Sequence, residues 1–466
     1  ISNIDFPSIN EDDNAYYGNT SRVGDMFFCY REAAIKKPIA QETRLYRFIF
    51  SEDLEKWSKP FEFDVSSKCR SMSDEVSITA CPNGSYLFYY LRCDDRSGMM
   101  SNPYFVFFDK EKGFGKEFYP LKTGRTFKDF TLFFFKDNYY IAARPGEKGE
   151  DTMENRFLIY RSASLENWSV EPVEVQLPVD IHTIKIRILN EKIYLLERND
   201  LFSSTDCLRW EKVLHMDQYK FVDLVELENN RFCAVLDSRK YAFNNAYLMF
   251  SNDLVHWDKP LYTGSGICDC TYHKERFLDL CGNAIISIDL SNLKKDSDND
   301  GLTDLEEEVL FTDCNNPDTD GDGVMDLDDI NPLRKPAKTP TDTMKIRQAV
   351  LNEYVGNKKG FYKGGLLIVT SESGETQCFE NLAPRVLSFN GSEYRLYEKY
   401  FRPKKGYFSY FSNIYFESIT FSRDSRSAEV EFSDYFAPNA GAGHKMRLRK
   451  VDNEWMVISV TKTWIS

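Results

Sequence analysis

Carboxylates crowd residues 296–329, and their spacing is regular. Read from Asp296, the stretch "DSDNDGLTDLEE" places Asp298 third, Asp300 fifth, Gly301 sixth, Leu302 seventh, Asp304 ninth and Glu307 twelfth. The stretch "DTDGDGVMDLDD" repeats the order with Asp318, Asp320, Asp322, Gly323, Val324, Asp326 and Asp329. Acids at places one, three, five, nine and twelve can converge on one centre. The glycine turns the chain sharply, and the seventh residue lends its backbone carbonyl. A hard cation that takes six to eight oxygens, calcium (Ca2+), is the expected cofactor. Without it the like charges repel, and this segment is expected to lose its order.

The two loops start 22 residues apart (318 − 296) and are joined by "VLFTDCNNP". That joint is too short for paired helix–loop–helix units. The pattern D-x-D-x-D-G-L-x-D-x-x-E, followed by N-P-D-x-D-G-D-G, resembles thrombospondin type 3 repeats as found in bacterial exported proteins. The resemblance covers about 296–332. It implies calcium binding and a secreted, cell-surface or periplasmic setting.

Elsewhere the chain sets limits. It has 466 residues, more than one ordinary core holds, so two or three domains are expected. Its net charge is −14, which argues against a nucleic-acid partner. It contains no apolar run long enough to span a membrane, and "ISNIDFPSIN" lacks the charged and apolar parts of a signal peptide. The 11 cysteines are an odd number without C-x-x-C spacing. Buried thiols or a few disulfides are therefore both open.

Before residue 294 a short pattern recurs, Ser-x-Asp (once Ser-x-Ser) followed by Trp. It ends at Trp57, Trp168, Trp210 and Trp257, with weaker copies ending at Phe114 and Leu293. An Asp opens a strand-like run after each anchor, at Asp74, Asp129, Asp180, Asp223 and Asp269, with Asp13 as the first member. Repeats of four short strands are the mark of a β-propeller. Six copies predict six blades, with five as the alternative, and residues 1–8 are expected to complete the last blade. Ser and Asp are read as turn-holders and Trp as an anchor.

The turn is similar to the Asp-box of sialidases, S-x-D-x-G-x-x-W, but Glu55, Glu166, Leu208 and Val255 stand in the glycine place. The form S-x-D-L-x-x-W is closer to turns of arabinanase- and xylosidase-type glycoside hydrolase propellers. This resemblance implies a base Asp, a second Asp and an acid Glu, parts that Asp13, Asp129 and Glu197 fill by position. Arg31, Arg92, Arg144 and Arg198 near strand ends, with His182, are expected to line a mouth that suits a sugar. The alternative stays open that each Asp simply bonds the neighbouring blade.

After the Pro/Thr-rich linker 331–343, residues 344–466 predict one N-terminal helix and an antiparallel sheet. This α+β segment resembles nuclear transport factor two-like or cystatin-like domains, and His444 in it has no expected role. The expected organisation is a propeller over 1–293, calcium loops over 294–333 and the α+β domain over 344–466. The function expected is an exported calcium-binding propeller protein that recognises or hydrolyses carbohydrate, with a glycan or cell-surface glycoconjugate as partner. The alternative is a non-enzymatic adhesion protein or toxin-associated factor, with a calcium-stiffened connector and a protein partner for the last domain.

Overall fold

The structure, a computed structural model, describes residues 2–5, 18–23, 26–36, 42–53, 56–67, 76–93, 101–123, 125–146, 155–168, 171–227, 230–238, 245–263, 270–273, 276–281, 284–290, 292–357, 366–371, 385–401, 412–437 and 440–465. Two compact units emerge from the contacts. One comprises residues 1–236, 249–258 and 267–289; the other comprises 237–248, 259–266 and 290–466.

The region before 290 is a β-propeller. Among the described residues it forms six four-stranded sheets, taken in chain order. The first runs from Gly18–Val23 to Phe61–Ser67, and the second from Ser77–Ala80 to Gly113–Phe114. The third comprises Phe127–Phe135, Asn138–Pro145, Arg156–Ser162 and Val173–Gln176. The fourth comprises Lys185–Leu189, Lys192–Glu197, Asp200–Ser204 and Glu211–His215. The fifth runs from Lys220–Glu226 to Leu261–Tyr262. The sixth joins Cys270–His273, Arg276–Cys281 and Ala284–Asp289 to Ser2–Asp5, whose Ile4 faces Ile285. The chain's opening strand thus fills the outer place of the last sheet, which would otherwise expose an unpaired edge.

Alternation explains the packing. In the third sheet Phe133, Phe135, Tyr140, Ala142, Phe157 and Ile159 point one way and meet Ile186, Ile193 and Leu195 of the fourth, with Ile184 just before it. Leu132, Ile141 and Leu158 point the other way and meet Leu87, Tyr89 and Phe105 of the second. Period-two burial on both faces is what a stacked sheet needs. The aromatic residues fill the wide gaps, as where Phe28 meets Phe88 and Phe108 edge-on.

The Ser-x-Asp turns are built as expected. Asp206 accepts from Leu208 N and Arg209 N at 2.9 Å each, and Ser204 Oγ accepts from Asp206 N at 3.3 Å. Asp253 repeats the scheme, and Asp53 accepts from Lys56 N. Trp168 and Trp210 donate from Nε1 to Leu165 O and Cys207 O, three residues back. Cys81, Cys207, Cys233 and Cys314 are free thiols.

The C-terminal sheet differs from its expectation. Its six strands run in the order Arg385–Asn390, Leu366–Ser371, Ser412–Phe421, Ser427–Ala437, Ala440–Val451, Glu454–Ile465. Leu366–Ser371 pairs in parallel with both neighbours, so the sheet is mixed, not antiparallel. There is also a further helix, Gly391–Phe401, where only one N-terminal helix and a sheet are expected. Asn390 explains the switch. Its Oδ1 accepts from Ser392 N and Glu393 N, and Glu393 Oε2 accepts from Asn390 N, a reciprocal cap that starts a helix. Helix Asp342–Asn357 lays Ile346, Val350, Leu351 and Tyr354 on Val369, Ile414, Val430 and Leu448 of the sheet.

Candidate functional site

Two clusters gather the candidate residues. The first lies in the propeller, around the crossover 181–184. Asp129, in the first strand of its sheet, faces Arg144 across the ladder. Its Oδ2 accepts from Ile184 N at 2.7 Å. Arg144 Nη1 donates to Ile181 O at 3.1 Å. Glu197 ends the second strand of the next sheet and is only 2% exposed. Its Oε2 accepts from His182 N at 3.0 Å and Thr183 N at 3.3 Å, and its Oε1 lies 2.8 Å from His182 Nδ1.

Burial pushes the Asp129 carboxyl above the usual carboxylate range, and the nearby Glu197 charge adds to that. Amide hydrogen bonds and Arg144 pull it back in part. Two polar atoms here are buried and unpartnered: Arg144 Nε and His182 Nε2. Buried polar atoms without partners are rare in folded proteins and point to a bound group or water. With Nδ1–H turned to Glu197, His182 offers Nε2 as an acceptor.

Asp129, Arg144, His182 and Glu197 are therefore brought together. The other propeller candidates are not part of this cluster. Arg92 pairs with Glu117 at 2.5 Å and lies over the Tyr104 ring at 3.4 Å. Arg198 is exposed in a tight turn at φ 45°, and its carbonyl accepts from Phe221 N. Asp180 is exposed before its strand, which begins at Lys185. Asp13, Asp74, Asp269 and the Arg31 side chain lie outside the described residues. The sequence reading missed Arg187, whose guanidinium holds buried Asp223 through Nε at 2.7 Å and Nη2 at 2.8 Å. Burial works against the Asp223 charge, but Arg187 and Lys185 outweigh it and hold its carboxyl below the usual range. The signal was the alternation of Lys185 and Arg187 on one strand face.

The second cluster is the acidic segment. Asp296, Asp298 and Asp300 bring carboxylate oxygens within 4.8 Å of one another, and Asp318, Asp320 and Asp322 do the same. Gly301 and Gly323 take φ of 98° and 100°, the left-handed region where a side chain is strained. Their amides donate to the first aspartate of each loop, at 3.1 Å to Asp296 Oδ2 and 2.9 Å to Asp318 Oδ2. Glu307, at the twelfth place, is fully buried on the short helix Asp304–Leu310, where Thr303 and Glu306 form a capping box.

Burial, with Asp298 and Asp300 beside it, pushes the Glu307 carboxyl up to about 8. Asp320 is pushed up to about 6 by burial and by Asp322, Asp329 and Asp318. One oxygen each of Asp298, Asp300, Glu307 and Asp320 is buried with no hydrogen bond. Acidic groups that cannot shed charge to water and lack donors fit a hard cation. Leu302 and Val324 follow the glycines, where a carbonyl ligand is expected. The ninth-place residues do something else. Asp304 accepts from Ser297 N and Oγ and from Lys295 Nζ, and Asp326 accepts from Thr319 N and Oγ1. Each therefore ties its loop's end back to its beginning.

No family model matches the chain, and no curated protein matches it. Solved structures do. A Penicillium chrysogenum α-L-arabinanase complexed with arabinobiose aligns with TM-score 0.38 and 11% identity over 63% of this chain and 99% of that one. A GH43 β-1,3-galactosidase with galactodeoxynojirimycin aligns with TM-score 0.35 and 10% identity over 54% and 94%. A Clostridium thermocellum α-L-arabinofuranosidase aligns with TM-score 0.34 and 15% identity over 54% and 95%. No residue role passes from them to this chain.

Proposed function

We propose that the chain is an exported calcium-binding protein whose six-bladed propeller recognises carbohydrate, and does not hydrolyse it through Asp13, Asp129 and Glu197. The six four-stranded sheets support the blade number. Thrombospondin type 3-like loops that hold calcium are supported by the buried, unpaired oxygens of Asp298, Asp300, Glu307 and Asp320. Calcium would supply the positive charge that these oxygens lack, and Asp296 and Asp318 anchor the backbone around it.

One observation carries recognition over hydrolysis. Glu197 spends its oxygens on two backbone amides and His182, and one oxygen of Asp129 is spent on Ile184 N. A glycosidase acid must reach the leaving oxygen, and its partner must reach the anomeric carbon or a water. A carboxylate with its oxygens committed to amides positions the 181–184 crossover instead. Arg144 Nε and His182 Nε2 are left to meet a ligand hydroxyl.

The test is a calcium titration by calorimetry, followed by a glycan array and a chromogenic glycoside panel with and without chelator. About two calcium ions bound per chain, glycan binding lost in Arg144→Ala, and no turnover are expected. Glycoside turnover that disappears in Glu197→Ala would overturn the recognition reading. No calcium uptake at about millimolar concentration would overturn the calcium reading.

A second reading, a non-enzymatic interaction protein, is favoured by one surface. Met456, Ile458, Val460 and Ile465 are exposed on Glu454–Ile465, which ends the C-terminal sheet. An apolar strand at a sheet edge suits a protein partner.

A further inference from the structure

An opening on the propeller shares no residue with the 181–184 cluster. It is a cleft of about 470 Å³ between the linker Phe118–Thr123 and the turn Glu166–Trp168. Its size is that of a small-ligand site. Phe118, Tyr119 and Trp168 are half-buried, so each leaves part of a ring toward the opening. Lys122, Glu166 and Asn167 are exposed around them.

We propose that this cleft is a carbohydrate subsite holding a neutral sugar unit of a glycan chain. Three properties carry the assignment. First, the apolar floor is aromatic. The C–H face of a sugar ring lies well on such rings, each contact weak but additive. Second, the polar groups suit hydroxyls. Lys122 donates, Glu166 accepts and Asn167 does both, and none of these three side chains has a hydrogen-bond or ion-pair partner of its own among the described residues. One cation beside one carboxylate leaves the rim without net charge, which favours a neutral sugar over a uronate or a sulfated one.

Third, the platform is already rigid. Tyr119 stacks on Tyr104 with centroids 5.4 Å apart, and the Arg92 guanidinium covers the other ring at 3.4 Å from the Tyr104 centroid. Phe118 stacks on Phe107 at 5.5 Å. Trp168 is fixed by its Nε1 bond to Leu165 O at 2.9 Å. A pre-set surface loses little freedom on binding. The inference also gives the second Ser-x-Asp-like turn, Ser162-x-Ser164, a use beyond holding the blade. Glu166 stands where the sialidase turn has glycine, and that departure supplies a polar rim.

The inference rests on the carbohydrate reading for its ligand class only. The test titrates the full-length chain with cellotriose, xylotriose and maltotriose, and with trigalacturonate as the charged control. Binding of a neutral trisaccharide that weakens about tenfold or more in the Glu166→Ala/Asn167→Ala double variant supports the subsite. Both residues are exposed, so that variant should fold. Trp168→Phe keeps an aromatic anchor and should weaken binding less than the double variant. No neutral trisaccharide binding below about 10 mM overturns the proposal. So does tighter binding of trigalacturonate. Binding unchanged in the double variant but lost in Arg144→Ala places the sugar at the 181–184 cluster; that outcome overturns this inference and leaves the proposed function standing.

Discussion

At the scale of single residues, the propeller's acids divide by what they face. Asp223 meets a fork of two guanidinium nitrogens and is held ionised. Its depressed carboxyl adds stability that is fully present above the unfolded value near 3.9 and is lost as pH falls through the lower folded value. Asp223→Asn should therefore cost roughly 3 kcal/mol at neutral pH, because Arg187 and Lys185 lose the carboxylate that balances their charge. It should also flatten the stability loss below about pH 4. Urea unfolding at several pH values reads both effects; an unchanged slope would show that Asp223 does not contribute the acid sensitivity. The sequence placed Asp129, Arg144, His182 and Glu197 as candidates, and they do meet. What it could not give was their partners, because backbone amides carry no residue letter. Glu197 looks the same in sequence whether it awaits a substrate or binds His182 N.

At the scale of elements, local chemistry was the readable part. Ser-x-Asp before an aromatic anchor announces a turn; at Asp206 and Asp253 the Asp holds two amides as that reading requires, and Asp53 accepts from Lys56 N. Ser204 is buried at the turn of its sheet. Ser204→Ala should lower unfolding stability by about 1 kcal/mol while leaving Trp210 fluorescence in the folded state unchanged. A shifted emission would mean that the serine also positions the indole. The helix Gly391–Phe401 was missed for a physical reason. Tyr and Phe in "SEYRLYEKYF" favour strands, and the Asn390–Glu393 cap that overrides them spans three residues. The parallel pairing of Leu366–Ser371 was not readable either, since a buried strand looks alike in both directions.

At the scale of the whole molecule, the repeat announced the propeller while burial and contacts drew the units. Residues 237–248, 259–266 and 290–466 form a unit in which the second acidic loop is tied to the C-terminal sheet. Val386 N donates to Ile330 O at 2.8 Å, and Arg385 Nη2 donates to Leu327 O at 2.5 Å. Stabilisation by a cation should therefore stay within one unit. Scanning calorimetry should resolve two transitions. Calcium at about a hundred times its dissociation constant should stabilise one of them by about 2.7 kcal/mol for each ion bound and leave the other in place. A single transition that moves as a whole would show that the units melt together.

The pairing of Ser2–Asp5 with Ala284–Asp289 has a consequence for how the molecule is made. The partner of Asp5 is Ala284, 279 positions later (284 − 5). During synthesis at roughly 5 to 20 residues per second, the opening strand waits about 15 to 55 s before its neighbour exists. Through that interval it is a bare edge, open to any strand it meets. The last sheet thus sets a clock on assembly. The strand Ser2–Asp5 is made long before its neighbour and is among the last to find its place.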